Sequence, residues 1–144
     1  MAEITVRAQL LRDGAYPPFR ATPSASGFDL FACITHSIAL SQVPTVIGTG
    51  VALEVPDGFD AQIRPRSGLA RRGVLSTFGT LDSDYRGELL VTLYTTAPSI
   101  EYVVEPGDRI AQLVITRLVD VAFEQVEALN LTLRGAGGLG STGR

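Results

Sequence analysis

Residues 79–89 read GTLDSDYRGEL, so two aspartates, a tyrosine and an arginine fall between two strand-like runs. A fixed carboxylate can take a proton from water and make it a nucleophile. A flat ring beside it can shape one wall of a pocket, and extended backbone offers alternating donors and acceptors. The same residues also suit a plain turn, in which Asp82 and Asp84 are turn formers and Tyr85 a surface ring.

Two further stretches have the chemistry to hold an anion. In RPRSGLA, residues 64–70, Arg66 and Ser67 stand where the sequence predicts a helix over 67–73. Ser67 is its expected cap and Gly73 its expected end. A helix start offers unpaired N–H donors and positive potential, although an ordinary capped helix after a strand reads the same way. The third stretch, RGAGGLGSTGR at 134–144, has five glycines in eleven residues. Gly135, Gly137 and Gly140 spell G-x-G-x-x-G, but only four residues follow Gly140. Neither a dinucleotide fingerprint nor a P-loop can form without a following helix. What remains is a flexible arm that is either an ordinary tail or a lid. Its N–H groups, Ser141, Thr142, Arg134 and Arg144 suit a polyphosphate.

The elements that must position these stretches are mostly strands. EITVRAQLL, TVIGTGVALEVP, FDAQIRP, ELLVTLYTT and RIAQLVITRLV are β-branched and apolar. Turn signals recur at RDGAYPP, VPDG, SDYRG and VEPGD. Phe59, Ala61 and Ile63 should share one face. The pattern predicts an all-β barrel or sandwich with one short helix.

Composition narrows the function classes. The chain has 144 residues, 45% of them apolar, which suits one domain with one core. A net charge of −3 argues against a general nucleic-acid partner. All twelve cationic residues are arginine, the side chain that forks onto phosphate. With one cysteine and one histidine, no intrachain disulfide forms and no zinc site is completed by Cys33 and His36. Zinc-dependent deaminases and Cys–His hydrolases are thereby set aside. Cys33 reads as a buried small residue and His36 as a surface residue. No leader and no apolar run of membrane-span length is visible, so a cytoplasmic protein without a membrane partner is expected.

Five motifs in order resemble the homotrimeric dUTP pyrophosphatase (dUTPase) family along nearly the whole chain. They are SGFDLFA at 26–32, PRSGLA at 65–70, GTLDSDYRGEL at 79–89, GDRIAQLV at 107–114 and RGAGGLGSTGR at 134–144. The resemblance implies a distorted, jelly-roll-like β-barrel over 1–133 and a C-terminal arm over 134–144. It implies hydrolysis of dUTP to dUMP and pyrophosphate with Mg²⁺, which keeps uracil out of DNA and supplies dUMP for dTMP synthesis. By the resemblance, Asp82 is the base that activates water and Tyr85 the ring that refuses ribose. Thr80, Leu81 and Leu90 wall the uracil, with Ser76 where the family often has Asn. Arg66, Ser67, Gly68 and Gln112 match phosphate-binding residues. Asp29 matches an acid that holds waters of the metal shell, while Asp108 and Arg109 read as a structural ion pair. Each site is implied to draw on three subunits. Arg134, Gly137, Gly138, Leu139, Ser141 and Thr142 would close over a neighbour's nucleotide, with Leu139 where the family usually has Phe.

Three other readings stay open on the sequence. A dCTP deaminase shares the fold, a dUTP-binding signalling protein would need no catalysis, and a structural trimeric β-protein would need no arm.

Overall fold

The computed structural model describes residues 4–143. Ten strands and one short helix follow in the order β1 (Arg7–Leu10), β2 (Phe28–Phe31), β3 (Ile38–Ala39), β4 (Thr45–Glu54), β5 (Phe59–Arg64), α1 (Ser67–Ala70), β6 (Val74–Ser76), β7 (Gly79–Leu81), β8 (Glu88–Thr95), β9 (Val103–Val104) and β10 (Arg109–Arg117). Two four-stranded sheets, ordered β1-β4-β8-β6 and β2-β10-β5-β7, enclose the core, and β3 pairs with β9. Every pairing is antiparallel. The all-β expectation holds, and the five longer runs became β1, β4, β5, β8 and β10. The strands that those runs did not mark, β2, β3, β6, β7 and β9, have two to four residues each, which leaves little alternation to read.

Alternation explains the core. In β8, Leu89, Val91, Leu93 and Thr95 are buried while the residues between them are more exposed. Ala61 and Ile63 of β5 point the same way, with Phe59 packed at the margin. They meet Leu30, Ile47, Val51, Val74, Ile110 and Leu113 from both sheets, and Val104 of β9. Each fully buried Leu, Ile or Val contributes about 1.5–3 kcal/mol relative to exposure. Cys33 is buried with a free thiol, and His36 is exposed in a loop.

The helix is shorter than the sequence predicts. It spans Ser67–Ala70, its N-cap is Arg66 with extended backbone, and among the described residues no side chain caps it. Ser67 is thus the first helical residue, not the cap. The chain then tightens into i→i+3 bonds, Arg72 N–H to the Leu69 carbonyl and Gly73 N–H to that of Ala70, both at 2.9 Å. Gly73 closes this turn in the left-handed region, φ +76°, and leads into β6.

The last strand ends at Arg117. Residues 118–143 carry no strand or helix, and all are exposed except the half-buried Gly137. Arg144 lies outside the described residues.

Candidate active site

The segment 79–89 is not a hairpin of two mutually paired strands. β7 pairs with β5, through Leu81–Ala61, Thr80–Gln62 and Gly79–Ile63. β8 pairs with β4 and β6 in the other sheet. Residues 82–87 therefore form a corner between the sheets, which a turn-rich sequence between two strands cannot distinguish from a hairpin. The Tyr85 N–H donates to the Asp82 carbonyl at 3.1 Å and closes the turn. The Asp82 side chain is exposed, and among the described residues no donor reaches its carboxylate. A free carboxylate at a fixed corner is available to a water molecule. Asp84 is likewise exposed.

Tyr85 folds back over the corner. Its hydroxyl donates to the Glu88 carbonyl at 3.0 Å, and its ring lies across Gly87. A Cβ on Gly87 would fall inside that ring and hydroxyl. Gly87→Ala should therefore swing the ring off the corner while leaving the barrel intact. The expected result is about a tenfold or greater loss of kcat/KM with a melting temperature near wild type, read by kinetics beside thermal denaturation. Unchanged kinetics would mean that ring position is immaterial.

A second group of residues converges on Asp29, in the middle of β2 and 3% exposed. Its Oδ1 lies 3.3 Å from Arg66 Nε and its Oδ2 lies 3.2 Å from Arg109 Nη1. Gln112 Nε2 donates to Oδ1 at 3.4 Å, and Arg66 also donates to the Arg109 carbonyl at 2.9 Å. The strand register makes this cluster: Gln112 faces Asp29 on one side of β10 and Arg64 on the other. Gly27 leaves the room, since a Cβ there would lie 3.1 Å from Gln112 Oε1. The expected Asp108–Arg109 pair does not form. Arg109 turns to Asp29, and Asp108 instead accepts from the Glu105 N–H at 2.9 Å, closing its own turn. A buried acid on the neighbouring strand outbids a solvated neighbour in sequence, because desolvation strengthens the attraction. Ser67 and Gly68 follow, exposed at the open start of α1, where the first N–H groups have no intrahelical acceptor.

The remaining predicted residues divide by place. Leu90 is exposed on β8, Thr80 is exposed and Leu81 half-buried on β7. Ser76 is 5% exposed, and its hydroxyl has no hydrogen-bond partner among the described residues. In the arm, Arg134 Nε donates to the Gly137 carbonyl at 2.9 Å, and a Cβ on Gly137 would lie 2.8 Å from Ser141 Oγ. Gly138, Ser141 and Thr142 are exposed, and Leu139 is fully so, at φ +45°.

One chain does not bring these groups to one point. Leu81 pairs with Ala61, whereas β5 ends at Arg64, three residues and about 10 Å further along. Asp82 thus leaves one end of β5 as Arg66 leaves the other.

Sequence reasoning missed a third cluster, at the root of the corner. Glu88 meets Arg12 Nη2 at 2.7 Å and accepts from the Gly50 N–H at 2.7 Å. Arg12 and that N–H hold the Glu88 carboxyl below the usual range, and Glu88 raises the Arg12 pKa. Gly48-Thr49-Gly50 inside a strand-like run was the available signal, since glycines there mark a bulge. On β5, Asp60 is also held below the usual carboxylate range, by hydrogen bonds from Thr116 and Gln62.

A family model described as dUTPase matches residues 15–143. The deoxyuridine 5'-triphosphate nucleotidohydrolase of Anaplasma marginale is 47% identical over 130 residues, covering 88% of each chain. A mutant dUTPase of Staphylococcus bacteriophage 80alpha with dUpNHpp superposes with TM-score 0.85 at 26% identity, covering 97% of this chain and 99% of the other. A mutant dUTPase from phage phi11 of S. aureus, described with a structural Mg(II) ion, gives TM-score 0.78 at 25% identity over 87% of this chain and 98% of the other.

Proposed function

The chain belongs to the dUTPase family, and from that premise we propose how its residues hydrolyse dUTP to dUMP and pyrophosphate. The observation that carries the mechanism is the corner: a free, exposed carboxylate at Asp82 with the Tyr85 ring pinned across Gly87 beside it.

Asp82 accepts a proton from a water molecule as the water oxygen bonds to the α-phosphorus. The bond from that phosphorus to the bridging oxygen breaks, and pyrophosphate leaves. General-base help of this kind contributes typically 10²–10⁴-fold. Tyr85 packs on the deoxyribose and leaves no room for a 2′-hydroxyl, so UTP is refused by exclusion. Backbone of 80–82 pairs with the uracil edge, with Leu90 opposite. Cytosine would leave polar groups unpaired there, at about 1–3 kcal/mol each. The orphan hydroxyl of Ser76 is short for a direct contact with the base, where the amide of Asn would reach further.

Arg66, with the N–H groups of Ser67 and Gly68, binds the triphosphate, and Gln112 completes that wall. Asp29 orients Arg66 through the contact at 3.3 Å. No group of three His, Cys, Asp or Glu side chains gathers among the described residues. Asp29 accepts from Arg109 and Gln112 and pairs with Arg66, so its carboxylate keeps lone-pair capacity for a metal-bound water. These residues fit a Mg²⁺ ion that arrives with the triphosphate and keeps phosphate and water ligands, as Mg²⁺ prefers. When bound, the ion neutralises charge on the phosphates.

The separation of Asp82 from Arg66 within one chain supports a site shared among subunits of a homotrimer. The arm, residues 134–144, exposed over 134–143 except at the half-buried Gly137, supplies Arg134, Gly137, Gly138, Ser141 and Thr142 to a neighbour's nucleotide as a unit distinct from the domain over 1–133. Leu139 covers the uracil without stacking, which forgoes about 0.5–1.5 kcal/mol. No described helix is long and apolar enough to cross a membrane, and the lone free Cys33 suits a cytoplasmic location.

A panel of dUTP, dTTP, dCTP and UTP, assayed for pyrophosphate and for ammonia, tests this reading. Pyrophosphate from dUTP alone is expected, with tighter dUTP binding in a Leu139→Phe variant. Ammonia from dCTP would instead favour a deaminase, and no turnover of dUTP would favour a binding protein. An unchanged Leu139→Phe affinity would remove the stacking argument.

A further inference from the structure

The corner carrying Asp82 and Tyr85 hangs from two sheets, and its support on the β8 side lies outside the five motifs' assigned roles. β4 and β8 run in register from Thr45–Leu93 to Gly48–Leu90, then resume at Ala52–Glu88. Four steps along β4 thus span two along β8, a bulge at the root of the corner. Such a bulge leaves ladder positions unpaired and bends the strand.

Side chains take the vacant places. The Thr49 hydroxyl donates to the Leu89 carbonyl at 2.8 Å. The Gly50 N–H donates to Glu88 Oε1 at 2.7 Å, and Arg12 Nη2 meets the same oxygen at 2.7 Å. Arg12 is tied in turn to the Cys33 carbonyl at 3.0 Å. Glycine makes the space: a Cβ on Gly48 would lie 2.6 Å from both Arg12 Nη2 and Glu88 Oε1. Gly50 sits at φ +68°, where other residues are strained. The Glu88 side chain is 24% exposed, so its ion pair is partly shielded from water.

The backbone carbonyl of this clamped residue is the acceptor for the Tyr85 hydroxyl at 3.0 Å. The Asp82 end depends on a different support, the β7–β5 ladder. The two functional groups of the corner are thus held by separate devices.

We infer that the Arg12–Glu88–Gly50 clamp is a positioning device for sugar selectivity, holding the Tyr85 ring where a 2′-hydroxyl would have to sit. The inference rests on the role given to Tyr85 above. Loosening the clamp lets the ring retreat, so ribose is admitted while Asp82 keeps its place.

The test compares kcat/KM for dUTP and UTP, with melting temperatures, in wild type, Glu88→Ala, Glu88→Gln, Arg12→Met and the double variant Arg12→Met/Glu88→Gln. A misplacement of about 1 Å costs up to about 10²-fold, so Glu88→Ala should lower the dUTP-to-UTP ratio by about 10- to 100-fold. Saturating kcat on dUTP should change less. Glu88→Gln should recover part of the ratio, because its amide oxygen still accepts the Gly50 N–H. Arg12→Met should shift the ratio the same way, and the double variant should fall short of the sum of the singles, as groups in one network do. If Glu88→Ala does not fold, Glu88→Gln and Arg12→Met carry the same comparison. Lower melting temperatures with an unchanged ratio would make the clamp a stability device and overturn the inference. A wild type that hydrolyses UTP as readily as dUTP would instead overturn the assignment of Tyr85.

Discussion

Asp82→Asn should lower kcat for dUTP by about 10²–10⁴-fold while leaving KM close to wild type. Asn has nearly the shape of Asp but cannot take the proton of the attacking water. The original side chain is exposed and has no hydrogen-bond partner among the described residues, so the change disturbs no internal contact. Exposed substitutions of this kind usually move stability by less than about 0.5 kcal/mol. The variant should therefore melt like wild type and bind a non-hydrolysable dUTP analogue with ordinary affinity. Steady-state kinetics and analogue titration read the loss of turnover and the retained binding separately. Full-rate hydrolysis by the Asn variant would remove Asp82 from the base position and leave the corner as a binding element only.

The sequence carried the parts of this molecule that are local. The four strands of six residues or more announced themselves, because buried alternation such as Leu89, Val91 and Leu93 repeats often enough to be read, and the four-residue β1 was read from its run as well. The residues of the corner and of the phosphate wall were legible as motifs, since Asp82, Tyr85, Arg66 and Gln112 lie within short runs of characteristic spacing. What the sequence withheld was pairing across long separations. Arg109 sits beside Asp108, and proximity in sequence favoured that pair. Strand pairing instead sets Arg109 opposite Phe31, and its side chain reaches Asp29, 80 positions away. The same blindness hid the Glu88 clamp, whose partners Arg12 and Gly50 lie far off in the chain. It also made the corner read as a hairpin, because which sheet a three-residue strand joins is decided by the strand beside it. The helix erred for a local reason: Ser67 looks like a cap, but Arg66 keeps extended backbone and takes that position.

Asp29 is where those long-range pairings matter most, and Asp29→Asn carries the other large expected effect. The residue is 3% exposed and is the meeting point of two guanidinium groups and one amide. Neutralising it leaves Arg66 and Arg109 side by side without a counter-charge. Removing one partner from a buried, hydrogen-bonded charge pair costs about 2–5 kcal/mol. The two arginines are 26% and 49% exposed, so water screens part of the loss and the lower end applies. About 2 kcal/mol is roughly a 30-fold fall in kcat/KM for dUTP. Arg66 would be free to leave the phosphate position, so the fall should reach KM as well as kcat. Titration with Mg²⁺ separates this account from one in which Asp29 acts only through water on the metal. If the metal shell were the whole role, saturating Mg²⁺ would restore the rate. A misdirected Arg66 is indifferent to added Mg²⁺, so the deficit should persist at saturation. Restoration of the wild-type rate by Mg²⁺ alone would make the Asp29–Arg66 contact incidental to phosphate binding. Wild-type kinetics without added metal would remove Asp29 from the site altogether.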